Sequence, residues 1–376
     1  MFNLKICSEV MLNNKTIAVV VPAFNEEKQI GFVIETMPDF VDRIVVVNDN
    51  STDNTEEIVK EYFTTRHNSS EILLKKKEII RTYHNESEIF LEEMNRKEIN
   101  FFTPSKIVNE NFETDRIILI TNLKNAGVGG SIARGYKWCK DNEIDCTAVM
   151  AGDGQMDPEE LDSICRPVLE NNIDYVKGNR LIHGSANYYI PKVRFFGNSI
   201  LSLITKIASG YWRVSDTQTG YTAISLNALK SIRLYDIYKR YGMPNDMLVK
   251  LNMSYCTIRE IPIKPVYRIG EESKMKIYKV IPKISYLLFK SFFKRIWIKY
   301  FIKDFHPLFI LYNLSFLLFL ISIPFAVNIL DYLFLTNTTE KPILNSLMFM
   351  FLVVSATQSL LFAMWMDIQD NERLYK

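Results

Sequence analysis

Short, unbroken apolar runs alternate along the chain with stretches whose apolar residues recur every three or four positions. Thr16–Val21 reads as a strand buried on both faces, and it ends in Pro22-Ala23-Phe24-Asn25-Glu26-Glu27. Ile30, Val33, Ile34 and Met37 then mark one side of a helix. Arg43–Val47 is a second buried strand, followed by Asn48-Asp49-Asn50-Ser51-Thr52-Asp53 and a helix over Glu56–Tyr62. Two such strands around an amphipathic helix predict a right-handed βαβ unit with a parallel sheet. Ile117–Ile120 resumes the sheet, and a helix through Arg134, Tyr136 and Trp138 follows Lys124-Asn125-Ala126-Gly127-Val128-Gly129-Gly130. A fourth run, Ala148–Met150, stops in Ala151-Gly152-Asp153-Gly154-Gln155-Met156-Asp157-Pro158. There Asp157 fits a helix cap, Pro158 the first helical position, and Glu160 the far end of a capping box. The pattern delivers Asp153 to the C-terminal edge of a sheet, where open α/β folds bind ligands. Asp174–Arg180 and Thr222–Ser225 are read as further strands, and Ile258–Val266, with its prolines, as an edge strand. Tyr241–Asp246 opens a helix, with Asn245 or Asp246 placed to cap it.

Two regions break this rhythm. Residues 63–115 are rich in Lys, Glu and Asn, and patchy apolar positions such as Ile72, Leu73, Ile79 and Ile80 predict an insertion, helical in part and carried at the surface. Near the other end, Phe305–Leu330 and Pro342–Met366 contain no Asp, Glu, Lys or Arg. Each exceeds the roughly 20 residues that a bilayer-spanning helix needs. The short link Asp331–Lys341 predicts a transmembrane hairpin, with a pair of core helices as the alternative. Basic residues crowd its near side at Lys290, Lys294, Arg295 and Lys299, so the positive-inside rule places the N-terminal domain and the tail after the hairpin in the cytoplasm. Tyr188–Tyr211 is aromatic and mildly basic and suits either a membrane-interface helix or a core helix. The expected organisation is a catalytic domain over 1–275, basic amphipathic interface helices over 276–304, and a hairpin over 305–376 with spans at about 305–330 and 342–366.

Composition narrows the choices. A net charge of +2 offers no bulk attraction to nucleic acid. Cys7, Cys139, Cys146, Cys165 and Cys256 have no paired spacing and read as free thiols in a reducing compartment. The histidines at 67, 84, 183 and 306 form no zinc pattern. Lys5, Glu9 and Lys15 interrupt the N-terminal stretch, so no signal peptide is expected there. The glycines at 127–130 precede a helix and suit close approach of an anionic group, but neither the dinucleotide fingerprint nor the Walker lysine is present.

Taken in order, these punctuation points resemble the family 2 glycosyltransferases of GT-A fold, most of all the dolichyl-phosphate mannose synthase group of polyprenyl-phosphate glycosyltransferases. Pro22–Glu26 is similar to that family's Pro-x-Tyr-Asn-Glu, and Asn48–Thr55 to its Asp-Asp-x-Ser-x-Asp-x-Thr. Asn125–Gly130 resembles Asn-x-Gly-x-Gly, and Ala151–Pro158 resembles Asp-Ala-Asp-x-Gln-x-x-Pro. Gly178–Arg180 resembles Gly-Ser-Arg, Asp216–Tyr221 resembles Asp-x-x-Ser-Gly-Phe, and Arg268–Lys274 resembles Arg-x-Gly-x-Ser-Lys. The insertion has no counterpart, and Ala151 stands where the family's metal motif begins with Asp.

The resemblance implies a mixed, mostly parallel sheet flanked by helices, plus the hairpin. It implies a membrane-bound inverting transferase that moves a sugar from a nucleotide donor to a polyprenyl phosphate. Pro22, Ala23, Asn25, Glu26, Asp49, Gly127 and Asp153 are then donor-site residues, with Glu26 and Asp49 at ribose and base. Asp153 and Gln155 are the expected ligands of Mg2+ or Mn2+, and Arg268, Ser273 and Lys274 those of the acceptor phosphate. A second reading keeps the donor but uses a hydroxyl acceptor on a polysaccharide or lipid-linked glycan, with Asp246 as catalytic base. A third, prompted by Ala151, is an impaired membrane scaffold that binds nucleotide-sugar. Self-association is compatible with all three.

Overall fold

The computed structural model describes residues 15–64, 74, 81–184, 192–266, 277–334 and 342–376. Eight strands form one mixed sheet, in the order β3-β4-β2-β1-β5-β7-β6-β8. They are β1 (Ile17–Ala23), β2 (Arg43–Asn48), β3 (Ser105–Ile107), β4 (Ile117–Asn122), β5 (Cys146–Val149), β6 (Tyr175–Asn179), β7 (Thr222–Ser225) and β8 (Ile258–Pro262). β4, β2, β1 and β5 are mutually parallel. β7 runs antiparallel to both β5 and β6, and β6 pairs in parallel with β8.

The apolar runs of the sequence are strands because both sheet faces are covered. In β1, Ala18 and Val20 face one core with Ile132, Ala133 and Tyr136 of α4 (Val128–Asp141). Ile17, Val19 and Val21 face the other, with Ile30 and Val33 of α1 (Ile30–Glu35) and Leu161, Ile164 and Val168 of α5 (Leu161–Glu170). α2 (Thr55–Glu61) packs beside α1. The insertion supplies α3 (Glu86–Lys97) and also β3, an antiparallel edge strand on β4 that the sequence pattern does not signal. Ile72, Leu73, Ile79 and Ile80 lie outside the described residues.

A third apolar cluster joins α6 (Lys192–Ser209), α8 (Met243–Met253) and α9 (Ile277–Trp297) to the base of the last two helices. α7 (Leu226–Ser231) follows β7, capped by the Ser225 hydroxyl. The N-cap position of α8 is Gly242; Asn245 and Asp246 lie inside its first turn, so neither caps it.

The two apolar runs are α10 (Pro307–Phe334) and α11 (Ile343–Glu372), packed against each other and exposing Leu, Ile, Phe and Met along most of their length. Both are long and apolar enough to cross a membrane. α11 runs past the apolar stretch, and its polar end packs into the body that carries the sheet. The Asp367 carboxylate accepts both Arg295 Nη atoms at 2.7 Å, and Arg295 also donates to the Ala208 and Ile207 carbonyls at 3.0 and 3.1 Å. A π-helical turn at Ile298–Lys303 directs Lys299 and Tyr300 inward together. Lys299 Nζ reaches Asn252 at 3.1 Å and Asn371 at 2.6 Å, and Tyr300 donates to Asp367 at 2.9 Å. Arg295 and Lys299 are therefore buried structural cations; Lys290 and Lys294 of the same basic stretch stay exposed.

The residues after α11 continue this docking. Tyr375 bridges Ile258 in parallel. The Ile258 amide donates to the Leu374 carbonyl at 2.7 Å, the Lys376 amide to the Ile258 carbonyl at 3.0 Å, and Arg259 to the Lys376 carbonyl at 3.0 Å. The end of the segment expected as a tail after the hairpin covers the open edge of β8, satisfying backbone groups that an edge strand leaves unpaired.

Candidate functional site

Because β4, β2, β1 and β5 are parallel, the loops that follow them gather at one sheet edge. Backbone and side-chain hydrogen bonds sew these loops together. The Asn25 amide donates to Ser51 Oγ at 3.0 Å, the Glu26 amide to Thr55 Oγ1 at 2.9 Å, and the Thr52 amide to Asn25 Oδ1 at 2.9 Å. Asn25 and Asn50 hold left-handed backbone at φ 56° and 61°, a conformation asparagine tolerates better than most residues. The Gly152 amide donates to the Pro22 carbonyl at 3.2 Å, and a Cβ on Gly152 would lie 3.1 Å from that oxygen. Pro22 and Ala23 are thereby set against the turn that carries Asp153.

Asp49 is nearly buried, and its carboxylate is fully engaged. It accepts the Ala126 and Gly127 amides at 2.7 and 2.8 Å and Asn122 Nδ2 at 2.9 Å. The glycines beyond it do not open space for an anion at the start of α4. The Gly129 amide donates to the Lys239 carbonyl at 3.0 Å, and a Cβ on Gly129 would sit 2.1 Å from the Tyr238 carbonyl oxygen. Glycine is required there because the chain's own 238–239 backbone makes the close approach.

In the Asp153 turn, the Gln155 amide donates to Asp153 Oδ1 at 3.0 Å, and Gly154 takes φ 70°. Asp157 caps the 3-10 turn Pro158–Glu160 as expected, accepting the Glu159 amide. The capping box does not close: the Glu160 carboxylate accepts the Lys264 amide at 2.7 Å instead, which ties this turn to the segment after β8. Lys264 Nζ also reaches Asp157 at 3.0 Å.

Beside this turn lies a cleft lined by Asp153, Gln155, Arg180, Thr219, Tyr221 and Lys264, among others. Arg180 follows β6 and is held by Asp216, with Nε and Nη2 at 2.8 and 3.0 Å from the two carboxylate oxygens. Burial alone would raise the Asp216 carboxyl; the Arg180 charge and hydrogen bonds, with Lys177, outweigh it and hold it below the ordinary carboxylate range. Lys177 is wholly buried under the 219–221 loop and donates to the Thr219 carbonyl at 2.5 Å. Burial lowers its ammonium to about 8 against the pull of Asp216 and Glu260. Sequence reading found Arg180 only as part of a motif and missed Lys177, Lys264 and Glu260 altogether.

Asp246 is not among the groups lining this cleft. It is buried, and its Oδ2 accepts the Tyr238 amide at 2.8 Å and Lys250 Nζ at 2.5 Å. Its neighbour Asn245 meets Gln218 of the 216–221 loop at 2.9 Å. Arg268, Ser273 and Lys274 lie outside the described residues. No group of three His, Cys, Asp or Glu side chains among the described residues is arranged to hold a metal unaided.

The chain is 29% identical over 255 residues to a UDP-N-acetylglucosamine–dolichyl-phosphate N-acetylglucosaminyltransferase of Methanococcus voltae, covering 68% of this chain and 87% of that one. It is 31% identical over 150 residues to an undecaprenyl-phosphate mannosyltransferase of Micrococcus luteus, covering 40% and 60% respectively. Among solved structures, glucosyl-3-phosphoglycerate synthase of Mycobacterium tuberculosis, crystallised with Mn2+, UDP and glucosyl-3-phosphoglycerate, superposes with a TM-score of 0.46 at 16% identity, covering 75% of this chain and 80% of that one. The sequence profile of glycosyl transferase family 2 matches residues 18–86 and 105–233, which take in β1 from Ala18, the strands from β2 to β7, and the cleft residues Asp153, Gln155, Arg180, Thr219 and Tyr221. The chain belongs to glycosyltransferase family 2, with the mixed sheet and flanking helices of the GT-A architecture.

Proposed function

We propose that this glycosyltransferase moves a sugar, with inversion, from a nucleoside-diphosphate donor to the phosphate of a membrane polyprenyl lipid. The observation that carries this reading is the pairing, in one cleft, of the Asp153 turn with the Arg180 guanidinium fixed by Asp216. An acidic group suits the metal-bound diphosphate of a donor, and a rigid guanidinium suits an acceptor phosphate. The two relatives named for dolichyl-phosphate and undecaprenyl-phosphate transfer support the same acceptor class. The paired apolar helices, rooted in the catalytic body by Arg295 and Asp367, support a site held at a bilayer surface. Exposed Lys283, Lys290 and Lys294 on α9 favour a cytoplasmic catalytic domain, and the return of residues 374–376 to β8 supports a hairpin whose far end lies on the same side.

The donor lies along the loops after β1, β2, β4 and β5 in this reading. Pro22, Ala23, Asn25 and Glu26 border it directly, while Asp49 and Gly127 act by holding the 125–127 loop in place. The donor set fits a hard cation: one carboxylate, Asp153, with the Gln155 side-chain oxygen, completed by donor phosphates, is the kind of shell magnesium accepts. Once bound there, Mg2+ or Mn2+ would neutralise charge on the departing diphosphate. An acceptor phosphate is already ionised near neutral pH, its second pKa being about 6. Its oxygen attacks the anomeric carbon, the bond from that carbon to the diphosphate oxygen breaks, and no proton has to be removed. Asp246, already bound to Lys250 and the Tyr238 amide, has no base role to play in such a reaction. Arg268, Ser273 and Lys274 remain the proposed partners of the lipid phosphate alongside Arg180.

The test is a screen of nucleotide-sugars against a short-chain polyprenyl phosphate, with Asp246→Asn run in parallel. Transfer by the wild type, kept within about fivefold in the variant, is expected, since general-base loss costs roughly 100-fold or more. Transfer only to hydroxyl acceptors, lost in Asp246→Asn, would establish the other acceptor class. Donor binding without turnover on any acceptor would establish a binding protein.

A further inference from the structure

β8 carries a carboxylate with no place in the chemistry above. Glu260 is nearly buried and stands in register with Lys177 on the neighbouring strand β6. Both of its oxygens point at the turn after α6. Oε1 accepts the Ser215 and Asp216 amides at 3.1 and 3.0 Å, while Oε2 accepts the Ser215 amide and hydroxyl, each at 3.0 Å. Ser215 Oγ in turn accepts Asn179 Nδ2 at 2.5 Å. Asp216, placed by these bonds, holds the Arg180 amide at 3.1 Å as well as its guanidinium.

We propose that Glu260 is a positioning residue: by binding the Ser215 and Asp216 amides it fixes Asp216, and through Asp216 aims the Arg180 guanidinium at the anionic group in the cleft. This rests on the acceptor reading given above. The physical basis is that a carboxylate accepting several N–H and O–H groups is rigid, whereas an arginine on a turn carries substantial rotamer entropy that must be lost on each binding event. Lys177, in register with Glu260, is a buried lysine that both the Asp216 and Glu260 carboxylates attract. The device is also joined to the hairpin, because the strand that carries Glu260 is the one residues 374–376 pair with at Ile258.

The experiment is a double-mutant cycle on the full-length protein in lipid nanodiscs. Glu260→Gln keeps the shape but turns an amide N–H2 toward the Ser215 N–H, so at least one of these bonds fails. The expected result is a rise of about tenfold or more in KM for a short-chain polyprenyl phosphate, with kcat and donor KM within about threefold and partial recovery in Glu260→Asp. In an Arg180→Ala background the same Glu260→Gln change should add less than about twofold, because its effect passes through Arg180. An equal fold-change in both backgrounds, or an unchanged acceptor KM in folded Glu260→Gln, overturns the proposal. Should Glu260→Gln melt below the assay temperature, Ser215→Ala takes its place in the cycle and is read by the same criteria. Wild type that binds the lipid without transferring sugar sinks the proposed function alone, and the cycle is then read on the lipid's Kd.

Discussion

Arg295 and Asp367 lie 72 positions apart in the chain and meet with no exposed surface on either side chain, both guanidinium Nη atoms 2.7 Å from the two carboxylate oxygens. Removing one partner leaves an uncompensated buried charge, which costs roughly 3–5 kcal/mol, while replacing both by apolar groups of similar volume is often neutral. Asp367→Ala should therefore lower the melting temperature sharply, and the pair Arg295→Met with Asp367→Leu should recover most of it. Thermal melts in detergent check this. Deleting residues 305–376 should abolish folded protein, not merely membrane attachment, because it also strips Asn371 from Lys299 and residues 374–376 from β8.

Asp153 is expected to act on the reaction and not on the fold, since it lines the cleft and its bond from the Gln155 amide is local to its own turn. Asp153→Asn should cut transfer by about 100-fold or more, the loss typical of a group that stabilises a departing anion, with an unchanged melt. A transfer assay with any productive donor, alongside calorimetry, decides it.

Gly129→Ala should destabilise by roughly 1–3 kcal/mol, because its Cβ would collide with the Tyr238 carbonyl, a backbone atom that cannot swing aside. Gly184→Ala is the control, as nothing lies within 4 Å of a Cβ there. If the glycines served a bound phosphate alone, the two variants would melt alike without donor.

Lys177 gives a pH dependence of definite sign. Its folded value, about 8, lies below its ordinary 10.5. Below pH 8 the lysine is protonated in both states and the cost of burying it is borne in full. Between 8 and 10.5 only the unfolded state holds the proton, so this residue adds stability as pH rises. The gap corresponds to about 3 kcal/mol in total. Denaturant melts from pH 7.5 to 10.5 should show that gain in the wild type and not in Lys177→Met.

Most of the sheet is legible in the sequence because β1, β2, β4 and β5 are buried on both faces, which leaves continuous apolar runs with few other readings. β3 is not, since a three-residue edge strand with exposed positions has no pattern to show. The abrupt end of the apolar run Ala148–Met150 marks the turn after β5, and that turn carries Asp153. Glycine before a helix, by contrast, says only that something comes close, and at Gly129 that something is the backbone of Tyr238, more than a hundred positions away. Glu260 and Lys177 carry no local signal, because their partners come from the distant segment Ser215–Thr219. The end of α11 is hidden from the sequence for the same reason: hydropathy fades after Met366, and hydropathy does not register a buried ion pair.

The pairing of residues 374–376 with Ile258 has a consequence for the order of assembly. Those residues leave the ribosome only after α10 and α11, so the sheet edge at β8 stays uncovered throughout synthesis of the hairpin. In the membrane-spanning arrangement proposed above, the edge that bears Glu260 is closed only when α11 comes back to the side of the sheet. A chain whose hairpin fails to insert, or inserts with its end on the wrong side, would keep an open strand edge of the kind that invites pairing with other chains.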